Sequence, residues 1–100
     1  MRKRATDENN ITTSSGNVFV DLGFDEAEAQ VLALRADLMA QLEKTIKARR
    51  MTQVAASKVL GVSQARVSDL VRGKVEKFSL DMLVTFAARL GTPAKIVLAR

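Results

Sequence analysis

The sequence predicts an all-α fold of four to five helices, followed by a short C-terminal β-strand. Apolar residues recur every three or four positions between residues 31 and 46. Three later apolar stretches each follow a Ser or Thr and end at a Gly, as capped helices do. Residues 1–16 are polar and lack periodicity, so we expect a disordered arm there. We place a single small domain at residues 17–93.

The longest helix is predicted over about residues 25–49. Asp25 and Glu28 form a capping-box pattern at its start. The short apolar stretch before it, residues 17–24, predicts an extended segment or a turn that places its two Phe side chains on the core. The apolar face of the helix consists of Val31, Leu34, Leu38, Leu42 and Ile46, and we expect it to be buried. Because the helix is unusually long, the part before about Ala36 is a candidate to project beyond the core or to pack on a partner.

Three shorter helices are predicted after residue 49, each with an N-cap hydroxyl. They cover residues 53–60, 64–71 and 80–90, and their N-caps are Thr52, Ser63 and Ser79. Between the first two, Gly61 fits a turn that needs a positive φ, and Val62 alone separates it from the next N-cap. Because the connection is so short, the chain must bend sharply there.

The last residues are apolar and rich in β-branched side chains, and they predict a strand over Lys95–Ala99. A single strand needs a partner, either residues 18–20 of the same chain or the same strand of a second subunit. We therefore assign residues 94–100 to dimerisation.

The composition excludes most enzyme chemistry. The chain has no Cys and no His, which excludes disulfides, thiolate nucleophiles, Cys/His zinc sites and Ser-His triads. We expect no enzyme activity, metal or cofactor. No apolar run follows the basic Arg2–Arg4 cluster, and none elsewhere is long enough to cross a membrane, so we expect a cytoplasmic protein without a membrane partner.

Basic charge is concentrated in one part of the chain. The formal net charge is +5, but residues 44–77 hold nine Lys or Arg against two acids, whereas residues 5–43 hold one Arg against eight acids. A basic region of this kind is typical of a surface that neutralises phosphates. A solvated cationic face is the simpler interpretation of residues 44–77. The separate basic cluster Arg2–Arg4 either enters a minor groove or remains a free basic end.

Residues 53–72 show the pattern of a helix-turn-helix. Apolar positions are consistent with two helices that pack on each other, and the small Ser57 stands where the helices cross closely, with a hydroxyl that can bond to a helix carbonyl. The second helix then presents short polar side chains suited to reading base edges in a major groove. The candidate base contacts are Gln64, Ala65, Arg66, Ser68 and Asp69.

Phosphate contacts require hydroxyl groups, cations and free backbone N–H groups. The N-terminus of the helix over 53–60 supplies such N–H groups, and cations follow the helix over 64–71. The candidate phosphate contacts are Thr52, Gln53, Ser63, Arg72, Lys74 and Lys77.

Three short motifs resemble the XRE (Cro/CI phage-repressor) helix-turn-helix family: Thr52-Gln53, Leu60-Gly61-Val62-Ser63-Gln64 and Leu70-Val71-Arg72-Gly73-Lys74. The resemblance covers about residues 35–91. It implies that Gln53 braces Gln64 and touches the DNA backbone. It also implies that Gln64, Ala65 and Asp69 face bases and that Arg72 contacts phosphate, although an acid at position 69 is unusual near phosphates.

A narrower resemblance rests on the flanks, Asn17–Phe24, Phe78-Ser79-Leu80 and the predicted strand, which are similar to small XRE-type antitoxins. It implies a homodimer that binds a near-palindromic operator in double-stranded DNA, represses its own operon and binds a small basic RNA-cleaving toxin. The alternatives are a stand-alone phage-type or chromosomal repressor without a toxin and an RNA-binding protein. The chain has no Tyr or Trp for base stacking, which disfavours the RNA alternative.

Overall fold

The computed structural model describes residues 17–99, and these residues form five α-helices and one short 3₁₀ turn. The predicted disordered arm at residues 1–16, with its Arg2–Arg4 cluster, lies outside the described residues. No helix within residues 17–99 is both long enough and apolar enough to cross a lipid bilayer. The elements are α1 (Val18–Asp21), α2 (Glu26–Ala48), α3 (Gln53–Leu60), α4 (Gln64–Val71), the 3₁₀ turn (Val75–Lys77) and α5 (Leu80–Arg89).

The predicted helices and their N-caps are confirmed to within one residue. The hydroxyl oxygens of Thr52, Ser63 and Ser79 accept hydrogen bonds from backbone N–H groups three residues later, at 3.0, 3.1 and 3.1 Å. At the start of α2, the Asp25 carboxylate accepts from the Glu28 N–H at 2.8 Å. Each bond satisfies an N–H that has no partner inside its helix, so these side chains determine where the helices begin.

The predicted strand over Lys95–Ala99 is wrong. The chain after α5 has no regular secondary structure through residue 99, and residues 17–99 contain no strand. A strand is stabilised by backbone hydrogen bonds to a second strand, and the intrachain candidate at residues 18–20 is occupied by helix α1. Without that partner, Ile96, Val97 and Leu98 are 52%, 79% and 87% exposed.

The stretch before α2 folds as a helix, although an extended segment or a turn was predicted. The Asn17 side chain accepts from the Phe19 N–H at 2.9 Å and donates to the Ala29 carbonyl at 3.1 Å, which holds α1 against α2. Phe19 and Phe24 contact each other edge to face, with ring centroids 6.2 Å apart. Neither ring joins the hydrophobic core, and Phe24 is 43% exposed.

The chain divides into two compact units between Leu34 and Arg35. The core lies in the second unit and takes residues from α2 to α5 and from the end of the 3₁₀ turn. From α2 it buries Leu42 and Ile46 as predicted, together with Met39, while Leu38 is partly buried at its margin. Val31 and Leu34 were expected in the core but lie in the first unit, where Val31 is 37% exposed and Leu34 is half-buried. Helical periodicity identifies an apolar face but not how much of it is covered.

Candidate nucleic-acid interface

The turn between α3 and α4 is built around Gly61, which has φ +74°. The Gly61 and Val62 N–H groups both donate to the Ser57 carbonyl, at 2.8 and 3.0 Å, and so end α3. The Ser57 hydroxyl donates to the Val54 carbonyl at 2.7 Å, which confirms the predicted bond to a helix carbonyl. The sharp bend expected from the sequence is therefore formed by local hydrogen bonds and one left-handed glycine.

Buried side chains fix α4 against α3 and the rest of the core. Val67 and Leu70 of α4 are fully buried beside Ala56 and Leu60 of α3. Because these side chains are close-packed on both helices, α4 has little freedom to rotate about its axis. The side chains on its other face therefore have fixed directions.

One face of α4 is free to meet a ligand, and we call it the α4 face: Gln64, Ala65, Ser68 and Arg72. Gln64, Ala65 and Arg72 are exposed, and Ser68 is half-buried. Residues four apart lie on the same side of a helix, so Gln64, Ser68 and Arg72 form one row, with Ala65 beside it. A row of short polar side chains ending in an arginine can contact base edges and then a phosphate.

Two predicted base contacts point elsewhere. The Arg66 guanidinium donates to the Lys77 carbonyl at 3.0 Å and lies 5.6 Å from the centroid of the Phe78 ring. The Asp69 carboxylate lies 3.6 Å from the Lys74 ammonium and 3.9 Å from the Lys77 ammonium. Both side chains thus contact residues 74–78, the segment that follows α4.

The predicted phosphate contacts occupy three places. Thr52 and Gln53 are exposed at the N-terminus of α3, where backbone N–H groups and the helix dipole favour an anion. Ser63 is exposed at the N-terminus of α4. Arg72, Lys74 and Lys77 follow α4, and the two lysine side chains are 37% and 47% exposed.

Two arginines bind the carbonyl ends of helices α3 and α5 in a way that the sequence analysis missed. Arg89 of α5 donates to the Leu60 carbonyl at the end of α3, at 2.6 Å. Arg49 donates to the Leu90 carbonyl at the end of α5, also at 2.6 Å. Each arginine satisfies a carbonyl that has no partner within its helix. No local sequence signal identifies such contacts, because donor and acceptor are 29 and 41 residues apart.

Two short helices joined at a sharp turn, the second with an exposed polar face, define a helix-turn-helix protein. A family model described as a helix-turn-helix domain matches residues 18–99. A solved structure described as an XRE family transcriptional regulator is 32% identical to the chain, with a TM-score of 0.68, and the match covers 73% of this chain and 82% of that one. No curated protein matches the chain. The chain belongs to the XRE family of helix-turn-helix proteins.

Proposed function

We propose that the protein is a sequence-specific DNA-binding repressor. The α4 face carries this proposal, because it offers an amide, a methyl group, a hydroxyl and a guanidinium at the exposed side of a helix whose opposite side is fixed in the core. In the major groove, Gln64 can bond both N6 and N7 of adenine, and the Ala65 methyl can contact a thymine methyl. The described geometry favours Gln64, Ala65 and Ser68 as the base contacts.

Phosphate contacts on both sides of the groove would hold α4 in register. Thr52 and Gln53 would meet one phosphate at the N-terminus of α3, and Arg72, Lys74 and Lys77 would meet another beyond α4. Ser63 would add a hydroxyl contact at the start of α4. As a homodimer, the protein would place two copies of α4 about 34 Å apart, in successive major grooves of a near-palindromic operator. Occupation of such a site at a promoter would exclude polymerase.

A selected duplex tests this proposal. The wild-type chain is used to select a binding site from a pool of randomised duplex DNA, and the Gln64→Ala and Arg72→Ala variants are then titrated against that site and its single-base variants. Gln64→Ala should lose about 1–3 kcal/mol of discrimination at one base pair. Arg72→Ala should weaken binding to all sequences and reduce the salt slope by about one unit. Equal losses on selected and random DNA for Gln64→Ala would contradict base reading.

A finer part of the proposal is that the protein is the antitoxin of a toxin–antitoxin pair and regulates its own operon. Residues 17–34 support a protein partner, because they contain four acids and no Lys or Arg. They also expose four large apolar side chains: Val18, Leu22, Phe24 and Val31. An acidic and apolar surface would repel DNA and fit a small basic protein such as an RNA-cleaving toxin.

Co-expression separates the antitoxin from a stand-alone repressor. The chain is tagged and expressed with the product of the gene adjoining its own. A stoichiometric complex with a small basic protein that arrests growth when expressed alone supports the antitoxin role. A chain that purifies alone yet binds its own upstream duplex is a stand-alone repressor. Preferred binding to single-stranded or structured RNA would instead support the RNA-binding alternative.

A further inference from the structure

We propose that Asp69 is a positioning residue for DNA binding, which holds the ammonium groups of Lys74 and Lys77 where they meet the DNA backbone only when α4 is in register with its bases. The inference rests on the DNA-binding function proposed above. It replaces the sequence-based prediction that Asp69 reads a base.

The Asp69 carboxylate is surrounded by the segment that follows α4. One of its oxygens lies 3.6 Å from the Lys74 ammonium and the other lies 3.9 Å from the Lys77 ammonium. The Asp69 side chain is 19% exposed, whereas the lysine side chains are 37% and 47% exposed. The Lys74 N–H also donates to the Asp69 carbonyl at 3.1 Å. The carboxylate is thus covered by two cations that themselves reach solvent.

Arg66 fixes the same segment from the preceding turn of α4. Its guanidinium donates to the Lys77 carbonyl at 3.0 Å and lies over the Phe78 ring, which is buried in the core. Arg66 and Asp69 are three residues apart and therefore lie on neighbouring positions of one helix side. The backbone and the ammonium group of Lys77 are each held by a different α4 side chain.

The two ion pairs leave the lysines able to bind a phosphate. Charge-assisted N–H···O bonds are about 2.7–2.9 Å long, and the separations at Asp69 are longer. Each ammonium has three N–H donors, so each can contact a phosphate while it remains near the carboxylate. The three side chains together carry one net positive charge, which suits a phosphate better than a base edge.

The carboxylate would limit where these lysines bind. Without it, two like charges on flexible four-carbon stems would move apart and contact phosphates in any register of the protein on DNA. Removal of one negative charge would also strengthen attraction to every duplex. Loss of the Asp69 charge should therefore favour random DNA more than the selected site.

The test compares Asp69→Asn with Glu76→Gln, using the full chain and a duplex selected by the wild type. Glu76 is an exposed acid of the same segment, and it makes none of the ion pairs found within residues 17–99. Affinities are measured at one salt concentration for the selected duplex, its single-base variants and a random duplex. Asp69→Asn should lower the ratio of selected to random affinity by about tenfold, comparable with one mismatched base pair. The loss of discrimination should be similar at every base position of the selected duplex. Glu76→Gln should leave the ratio of selected to random affinity within about twofold of wild type.

Two results would overturn the inference. Loss of discrimination at a single base pair would show that Asp69 reads that base. An unchanged ratio would show that its ion pairs have no part in binding. A wild-type chain that prefers no duplex would instead refute the proposed function itself.

A second variant makes the test independent of the behaviour of Asp69→Asn. Lys74→Gln combined with Lys77→Gln should weaken binding to the selected duplex and reduce its salt slope by about two units, with a smaller change on random DNA. In that background, Asp69→Asn should not change the ratio further. Equal weakening on both duplexes would contradict contact in register. Thermal melting followed by circular dichroism verifies that each variant is folded.

Discussion

Single residues decide the geometry of the turn between α3 and α4. Gly61 and Gly73 both have φ +74°, but a Cβ atom on Gly61 would lie 2.9 Å from the Arg89 guanidinium, whereas one on Gly73 would have no neighbour within 4 Å. Position 61 therefore requires glycine for two reasons. Its φ is positive, and a Cβ there would crowd the Arg89 guanidinium that donates to the Leu60 carbonyl. Gly73 is required for its conformation alone.

We predict that Gly61→Ala destabilises the protein more than Gly73→Ala does. Both substitutions place a Cβ in the left-handed region at a cost of about 1–2 kcal/mol. Gly61→Ala should cost about 1 kcal/mol more, because Arg89 must move from its hydrogen bond. Chemical denaturation measures both free energies of unfolding. Equal losses would mean that Arg89 adapts without cost.

Arg50 is the one non-glycine residue with a positive φ, +53°, within residues 17–99. It follows the end of α2, where its N–H donates to the Lys47 carbonyl and the Met51 N–H donates to the Ile46 carbonyl. This is the hydrogen-bond pattern in which glycine is usual.

We predict that Arg50→Gly stabilises the protein by about 0.5–1 kcal/mol. The substitution relieves the left-handed strain, and the greater entropy of Gly in the unfolded chain offsets part of that gain. The control is Arg50→Ala, which removes the same side chain but keeps the strain, and it should give no gain. An equal gain from both variants would attribute the effect to the side chain and not to φ.

At the scale of elements, α4 holds the segment that follows it. Arg66 connects the helix to residues 77 and 78 through a charged hydrogen bond and a cation–π contact. These contacts hold the segment against α4, so under the proposed function recognition would depend on the helix together with the turn after it.

We predict that Arg66→Leu lowers the free energy of unfolding by about 1–2 kcal/mol, because the hydrogen bond to Lys77 and the contact with Phe78 are lost. Arg72→Leu is the matched control, since it removes the same charge from an exposed site at the end of the same helix. It should change stability by less than about 0.5 kcal/mol. Urea unfolding measures the free energy of unfolding of both variants. Similar losses would mean that Arg66 has no structural role.

For the whole molecule, the apolar residues after α5 are the clearest candidates for self-association. Ile96, Val97 and Leu98 are consecutive and more than half exposed, and Lys95 and Ala94 beside them line a groove of about 340 Å³ with residues of α2 and α5. Burial of such side chains on a second copy would remove apolar area from water.

We predict that the wild-type chain is a dimer and that Val97→Asp combined with Leu98→Asp converts it to a monomer. Val59→Asp, at a 42% exposed position of α3, should leave the dimer intact. Light scattering coupled to gel filtration measures the mass of each variant. A tail variant that remains dimeric would place the dimer interface elsewhere.

The sequence by itself determined helices α2 to α5 and the bend between α3 and α4. Their N-caps and the turn at Gly61 depend on hydrogen bonds between residues at most five positions apart, so a short window contains all the information. The polar α4 face could be predicted for the same reason, because residues 64 to 72 belong to one regular helix and its margins.

Only the tertiary structure determines which polar side chains of residues 64–72 remain on the α4 face and which make contacts elsewhere. Arg66 meets a carbonyl 11 residues away, and Arg89 and Arg49 meet carbonyls 29 and 41 residues away. The prediction of a strand over Lys95–Ala99 was wrong for a related reason, because a strand needs a partner strand that its own residues cannot specify. Local sequence patterns determine how a segment is hydrogen-bonded within itself. They do not determine which distant carbonyl, ring or carboxylate its side chains reach after the core has formed.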